Sequence, residues 1–364
     1  MMTTRPFDET TCADAKQLFA ERFGAADASL LDFVLANPAR AHGEPCGLVG
    51  YDDSGVCATF VLLPRRLFWR NQKLKGDVGV AMARRKDSLR AAFADFLGRA
   101  FAGETADVYF ANTSTPPSRK RFVEFIQAVD GPESCCELRE WQLRPEPGFV
   151  VRAIRRVLSL LGCRNAAPSS TPVCREAVNL GDGFTFEAGV EYFREVSIGN
   201  EAFDSFWSDY LATNEGLVSS RTAAELRWMF QDQLASGESI LLTLCEKGRL
   251  CGYVVCRRTD ATAQCWRVAD LIALGNDAKR LERLLNVAAN YLSLRLRARY
   301  FQVTGYPDGI QPLLKRLFPK ASSYGWNKCM WQYRNEKARA LCGDWMHDGK
   351  SWFGCPYDGD MSFS

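Results

Sequence analysis

Two aspartates stand inside apolar runs of this sequence. Asp77 falls in Leu74-Lys75-Gly76-Asp77-Val78-Gly79-Val80-Ala81-Met82, and Asp270 in Val268-Ala269-Asp270-Leu271-Ile272. A carboxylate removed from water is costly unless a partner offsets it. Burial also raises its pKa towards neutrality, where it can accept a proton as a general base. The plainer reading of Asp77 is a strand-end carboxylate paired with Lys73 or Lys75. Beyond Asp77, the cations Arg84, Arg85, Lys86 and Arg90 surround a predicted helix start that Ser88 can cap. Open amides and the helix dipole favour an anion at such a start. The loop is therefore either a phosphate site or a solvated basic turn.

The elements that must position these residues form an internal repeat. Residues 47–63 read as strand, tight turn and strand, turned at Asp52-Asp53-Ser54-Gly55, and residues 239–256 repeat the pattern, turned at Glu246-Lys247-Gly248. A strand follows each hairpin, at 74–82 with Asp77 and at 266–274 with Asp270. The step from turn glycine to aspartate is 22 residues in both copies, Gly55 to Asp77 and Gly248 to Asp270. Helical spacing of Leu89, Phe93, Phe96 and Leu97 predicts a helix over 88–101, and Leu281, Leu284, Leu285 and Ala288 predict one over 278–297. Each leads into a strand, at 107–110 and 299–303, and then a closing helix near 122–126 and 313–318. Helices also precede each hairpin, at 11–23 and 28–35, and at 202–211 and 222–233. Matched order about 193 positions apart predicts a duplicated α/β unit. The expected divisions are a first domain over 1–143, a basic helix and linker over 144–180, a second domain over 181–340 and an irregular tail over 341–364. The linker holds a basic amphipathic stretch at 149–161 and a Pro/Ser-rich loop at 165–172.

Composition narrows the classes. A chain of 364 residues is long enough for two domains, and 47% hydrophobic with 24% charged residues is ordinary for a globular protein. A formal charge of +3 gives no reason to expect a nucleic-acid partner. The longest apolar run, near 150–161, is broken by Arg152, Arg155 and Arg156, so no membrane-spanning segment is expected. The start of the chain shows no signal-peptide core. Its 14 cysteines sit mostly in apolar strand-like runs, and read as reduced, buried thiols of a cytoplasmic protein. Two histidines, His42 and His347, with no CxxC pair give no expectation of a metal site.

A hairpin, a longer strand, a helix, then strand and helix resembles the GNAT (Gcn5-related N-acetyltransferase) fold, here as two tandem copies over most of the chain. The resemblance implies an α/β (α+β) class, each copy a mixed, mostly antiparallel sheet flanked by helices. In that family the fourth strand parts from its neighbour and pairs with the pantetheine arm of acyl-CoA. The loop after it, usually Arg/Gln-x-x-Gly-x-Gly/Ala, wraps the diphosphate. Carried over, this gives Val80 and Met82 to the pantetheine, and Arg84, Arg85, Lys86, Ser88, Leu89 and Arg90 to the diphosphate. Arg85 matches the motif's first position, whereas Ser88 and Arg90 stand where glycine, and glycine or alanine, are usual. Side chains there narrow the approach of the backbone. Asn112, in Phe110-Ala111-Asn112-Thr113-Ser114, matches the asparagine that meets the pantetheine region. The family's general-acid tyrosine has no counterpart in Arg119-Lys120-Arg121-Phe122. Asp77 matches the carboxylate that deprotonates the amine, with Asp270 as its expected equivalent in the second copy.

The second copy's loop, Gly275-Asn276-Asp277-Ala278-Lys279-Arg280, carries no such signature. Such a pairing is similar to tandem-GNAT acyltransferases, including the Fem-type aminoacyl transferases, in which two copies form one cleft. Residues 219–230, Ser-Ser-Arg-Thr-Ala-Ala-Glu-Leu-Arg-Trp-Met-Phe, resemble segments of bacterial GNAT-like proteins of surface-polysaccharide pathways. That likeness implies Arg221 and Arg227 as holders of an anionic or sugar substrate, with Trp228 as plain core. The implied activity is N-acyl transfer from acetyl-CoA, or another acyl-CoA, to an amine on a small molecule, amino sugar or surface-glycan precursor. The alternatives are a Fem-like transferase using aminoacyl-tRNA and an inactive pair serving as a scaffold.

Overall fold

The computed structural model describes residues 2–85, 90–102, 106–114, 116–131, 137–144, 176–179, 184–188, 198–260, 262, 264–306, 308–323, 328–343 and 357. The basic stretch 149–161, the loop 165–172 and the tail beyond 343, except Tyr357, lie outside the described residues. Among the described residues no helix is long and apolar enough to cross a membrane. Of the cysteines in the described residues, Cys12, Cys46, Cys57, Cys245, Cys251, Cys256 and Cys342 are buried, Cys265 is half-buried, and none of these eight is in a disulfide.

In chain order the elements are β1 (Thr3–Pro6), α1 (Cys12–Phe23), α2 (Ala25–Leu35), β2 (Gly47–Asp52), β3 (Gly55–Trp69), β4 (Gln72–Arg84), α3 (Arg90–Ala102), β5 (Val108–Ser114), α4 (Pro116–Ile126) and β6 (Val129–Asp130). There follow β7 (Glu137–Gln142), β8 (Glu176–Asn179), β9 (Phe184–Ala188), α5 (Ile198–Thr213), β10 (Leu217–Ser219), α6 (Ala223–Ser236), β11 (Ser239–Glu246), β12 (Arg249–Arg258) and β13 (Cys265–Ala273). A short 3-10 turn (Leu274–Asn276) then leads to α7 (Ala278–Leu294), β14 (Tyr300–Thr304), α8 (Gln311–Leu317), β15 (Lys320–Ser323), β16 (Lys328–Tyr333) and α9 (Glu336–Cys342).

The first unit comprises 1–136, 215–228 and 324–363; the second comprises 137–214 and 229–323, with residue 364. The first sheet runs β1-β2-β3-β4-β5-β16-β6, with β10 added to the far end of β3. The second runs β8-β9-β11-β12-β13-β14-β7-β15. All pairs are antiparallel except β4 with β5 and β13 with β14. Alternation along β3 explains how one sheet serves two cores. Val61, Leu63 and Leu67 face Leu18, Phe19, Leu31 and Val34 of α1 and α2. Phe60 and Leu62 face Phe96, Leu97 and Phe101 of α3 and Phe122 of α4. Each such side chain contributes roughly 1.5–3 kcal/mol by leaving water.

The units do not follow the divisions at residues 143 and 180. Strand β7 lies in the second sheet between β14 and β15, while β16 lies in the first between β5 and β6. Each copy thus receives its inserted strand from the other copy's stretch of sequence. The helix α6 crosses from one unit to the next at Trp228 and Met229.

The two sheets share their register around the parting but place the aspartates differently. Val61 pairs with Ala81 and Leu62 with Gly79, which leaves Val80 as a bulge in β4. Val255 pairs with Asp270 and Cys256 with Val268, which leaves Ala269 as the bulge in β13. In each copy the last parallel rung lies two residues before the bulge, Val78 with Phe110 and Arg267 with Gln302. By this register Asp77 corresponds to Trp266, and Asp270 to Ala81. The equal 22-residue steps therefore do not make the aspartates equivalent. Strand β3 runs on to a tight turn at Arg70 and Asn71, both at positive φ, whereas β12 stops at Arg258 and β13 begins only at Cys265.

A fragment of residues 1–143 lacks both β16 and β10. It is expected to show no cooperative unfolding by circular dichroism and to be degraded rapidly by trypsin, while the full chain resists. A cooperatively folded fragment would contradict the exchange.

Candidate functional site

In the first unit the parallel pairing of β4 and β5 stops at Val78 and Phe110, yet β4 continues to Arg84 and β5 to Ser114. Beyond that rung β4 keeps β3 on one side only, and β5 keeps β16. The strands part there, leaving one edge of β4 from Gly79 to Arg84 with no strand partner among the described residues. An open edge with a bulge presents amides to any extended, amide-bearing ligand. Val80 and Met82 are both half-buried at this edge. Val80 packs towards the α1/α2 side and Met82 towards the α3/α4 side. A Cβ at Gly79 would lie 2.2 Å from the Tyr109 hydroxyl, so any larger residue there displaces that ring.

Asp77 lies just before this opening, paired with Pro64 on β3 and Tyr109 on β5. It is buried, at 6% exposure. Burial raises its carboxyl to about 7, with Lys75 pulling it down and Glu44 pushing it up. Lys75, two residues along the same face, is ion-paired with Glu44. Of the two lysines expected as its partner, Lys75 lowers the Asp77 carboxyl through its charge, while its hydrogen bond goes to Glu44.

Of the loop residues, Lys86, Ser88 and Leu89 lie outside the described residues, as do the side chains of Arg90 and Asn112. Arg90 is the first residue of α3, and Asn112 lies on β5 beyond the last rung with β4. Arg84 stacks over Phe93 at 5.8 Å. Arg85 is already committed to the β2–β3 turn. It donates to Asp52 at 2.7 Å, to the Ser54 hydroxyl at 2.6 Å and to the Val56 carbonyl at 3.3 Å. Hydrogen bonds from Ser54, and then Arg85, hold the Asp52 carboxyl at about 2.

Arg221 is completely buried in the first unit. It donates to the Ser219 carbonyl at 2.8 Å and lies 4.5 Å from the centre of the Tyr357 ring. Arg65, also buried, approaches the same ring at 4.9 Å and donates to the Tyr357 carbonyl at 2.5 Å. These residues form an internal anchor, which sets Arg221 apart from Arg227, a half-buried residue of α6. Glu225 joins Arg66 at 2.9 Å and closes a capping box with Thr222. The Thr222-x-x-Glu225 spacing is legible in the sequence; the buried Arg65 and Tyr357 leave no local mark. Trp228 stacks on Phe33 at 4.1 Å and donates to its carbonyl.

The second unit also parts its strands, beyond Arg267 and Gln302. Its Asp270 is fully buried and well supplied with donors: the Tyr253 hydroxyl at 2.7 Å and the Leu271 amide at 3.1 Å. This ties β12 to β13 beside the bulge. At the start of α7, Asp277 accepts from the Arg280 amide at 2.8 Å. The carboxylate thereby takes up an amide of the helix start that would otherwise be open to an anion. Arg280 itself pairs with Glu246 at 3.0 Å.

No protein-family model matches the chain, and no curated protein matches its sequence. Solved structures do. A GCN5-related N-acetyltransferase from Anabaena variabilis ATCC 29413 matches with TM-score 0.56 at 13% identity, covering 92% of this chain and 73% of that one. A conserved protein of unknown function from Enterococcus faecalis V583, described as a probable N-acyltransferase, matches with TM-score 0.55 at 12% identity, covering 93% and 74%. A GCN5-related N-acetyltransferase from Kribbella flavida gives TM-score 0.55 at 12% identity, covering 91% and 70%. The chain has the GNAT N-acetyltransferase fold, with two mixed sheets flanked by helices.

Two stability measurements check the carboxylates. Tyr253→Phe leaves Asp270 short of a buried donor and is expected to cost about 1–3 kcal/mol in urea unfolding; an unchanged midpoint would count against the tie. For Asp77 the folded pKa of about 7 lies above the ordinary 3.8. Its penalty is absent below about pH 4, grows through the interval and is complete above about pH 7. Asp77→Asn should therefore match the parent near pH 4 and exceed its stability at pH 8, by about 2–4 kcal/mol. A difference independent of pH would show that the carboxyl titrates normally.

Proposed function

We propose that the chain is an acyl-CoA-dependent N-acyltransferase acting at the parting of β4 and β5 in the first unit. The observation that carries this reading is the open β4 edge with Asp77 at its closed end. The GNAT fold supports acyl-CoA as co-substrate, and the half-buried Val80 and Met82 suit the apolar parts of a pantetheine arm. The diphosphate would fall to the loop that starts at Arg84, with Arg85 bracing the adjoining hairpin.

When bound, the thioester supplies an activated acyl carbon. The chain's own contribution is to hold it extended along β4, to aim amides of the bulged edge at the carbonyl oxygen, and to keep water away. Asp77 receives the proton of the attacking amine as the new C–N bond forms and the C–S bond breaks. A carboxyl at about 7 is half ionised at neutral pH, which suits a base. We assign the base role to Asp77 alone, because Asp270 is held by Tyr253 and Leu271. The acceptor in this reading is an amine on a small molecule, an amino sugar or a surface-glycan precursor.

Calorimetric titration with acetyl-CoA, followed by free-thiol release across a panel of amines, tests the reading. Saturable binding is expected, with turnover that rises through about pH 7. Asp77→Asn should lower turnover at pH 8 about 100-fold or more while leaving acetyl-CoA binding in place. Absence of heat and of thermal shift at millimolar acetyl-CoA would end the proposal.

A further inference from the structure

Lys75 and Asp77 stand on one face of β4, with no bulge between them and their Cα atoms about 6–7 Å apart. No described residue donates a hydrogen bond to the Asp77 carboxyl. Its ionisation is therefore set by burial and by the charges around it. Lys75 lies on its own strand, and Glu44 on the connection from α2 to β2. The Cys46 thiol of that connection also interacts with it, but burial pushes this thiol up to about 12, so it stays neutral. Tyr109, beside it on β5, brings a hydroxyl that reaches Gly79. Arg66, opposite Lys75 on β3, is paired with Glu225 at 2.9 Å.

Both members of the Lys75–Glu44 ion pair stand on anchored backbone. The Lys75 amide donates to the Asp107 carboxylate at 2.7 Å, and the Asp107 amide donates to the Lys75 carbonyl at 2.8 Å. Glu44 accepts the Ala41 amide at 3.0 Å on one oxygen and Lys75 on the other. The Glu44 carbonyl accepts from Arg40 at 2.5 Å, and the Cys46 amide donates to the Phe7 carbonyl at 2.9 Å. Side chains held in this way keep a set geometry towards the group they act on. The two carboxylates beside the lysine are thus unequal. Half-buried Glu44 takes its hydrogen bond, and buried Asp77 feels only its charge.

We propose that Lys75 and Glu44 are positioning residues that set the ionisation of Asp77, with Glu44 drawing the Lys75 ammonium away from it. A lysine bonded directly to Asp77 would keep it ionised far below neutrality, and a lone glutamate would hold its proton on. The functional meaning rests on the reading of Asp77 as the base; the charge relation among the three residues does not.

Titration of the Asp77 carboxyl carbon by NMR, in aspartate-labelled full-length protein and assigned with Asp77→Asn, tests the pair without substrate. In Glu44→Gln the midpoint should fall from about 7 by about one pH unit or more, because Glu44 no longer opposes Lys75. At pH 6 that leaves about 5-fold more Asp77 ionised than in the parent. In Lys75→Gln the midpoint should rise, because burial and Glu44 then act together. Lys75→Met stands in if Lys75→Gln fails to fold. The double variant should return towards the parent, since both charges leave together, and Lys75→Arg, which keeps the charge, should stay near it. The acid limb of amine-dependent thiol release should move with each midpoint. A midpoint that moves while the acid limb stays would uphold the pair and remove Asp77 as the base. Equal midpoints in the parent and both single variants, or a Lys75→Arg shift as large as that of Lys75→Gln, would overturn the proposal.

Discussion

The candidate site depends on where two parallel strands cease to pair. Strands β4 and β5 share three rungs, Gly76 to Val78 against Val108 to Phe110, and then part. The bulge at Val80 keeps β4 joined to β3 while re-aiming the residues that follow. An unpaired strand edge is ordinarily a liability, because its amides invite any passing strand. Here the edge is short and bulged, and its side chains are half-buried on both faces. Those properties suit a single extended ligand better than another sheet.

The two aspartates show how neighbours decide the meaning of a residue type. Asp270 is the more deeply buried, yet it sits beside a tyrosine hydroxyl and accepts a backbone amide. Those two hydrogen bonds make the carboxylate a tie between strands. Asp77 has a lysine and a glutamate near it, and these two are joined to each other. Burial then dominates, and the proton is held until neutrality.

Much of the fold was legible in local patterns. Hairpin turns, helical spacing and the order of elements placed α1, α2, α3, α7 and most strands within a few residues, because each rests on neighbours in sequence. Register was less accessible. The equal steps from Gly55 and Gly248 arose from a longer β3 in one copy and a longer loop in the other, so they matched without marking equivalent positions. Arg85 fitted a motif position, but its partner Asp52 lies 33 residues away, across a turn. Arg65, Arg221 and Tyr357 come from three distant stretches, and only the folded chain brings them together.

The exchange of β7 and β16 has a consequence for synthesis. When β6 leaves the ribosome, the gap beside β5 that β16 will fill is still empty, and about 200 residues separate β6 from β16. At ordinary elongation rates the nascent chain waits roughly 10–40 s with two bare strand edges before its filler arrives. The second sheet has the opposite history, since its inserted strand is made before β14 and β15, the strands it will join. Maturation of the first sheet is thus gated by the stretch that carries β16, and a chain stalled or clipped before it would expose that sheet to chaperones and proteases.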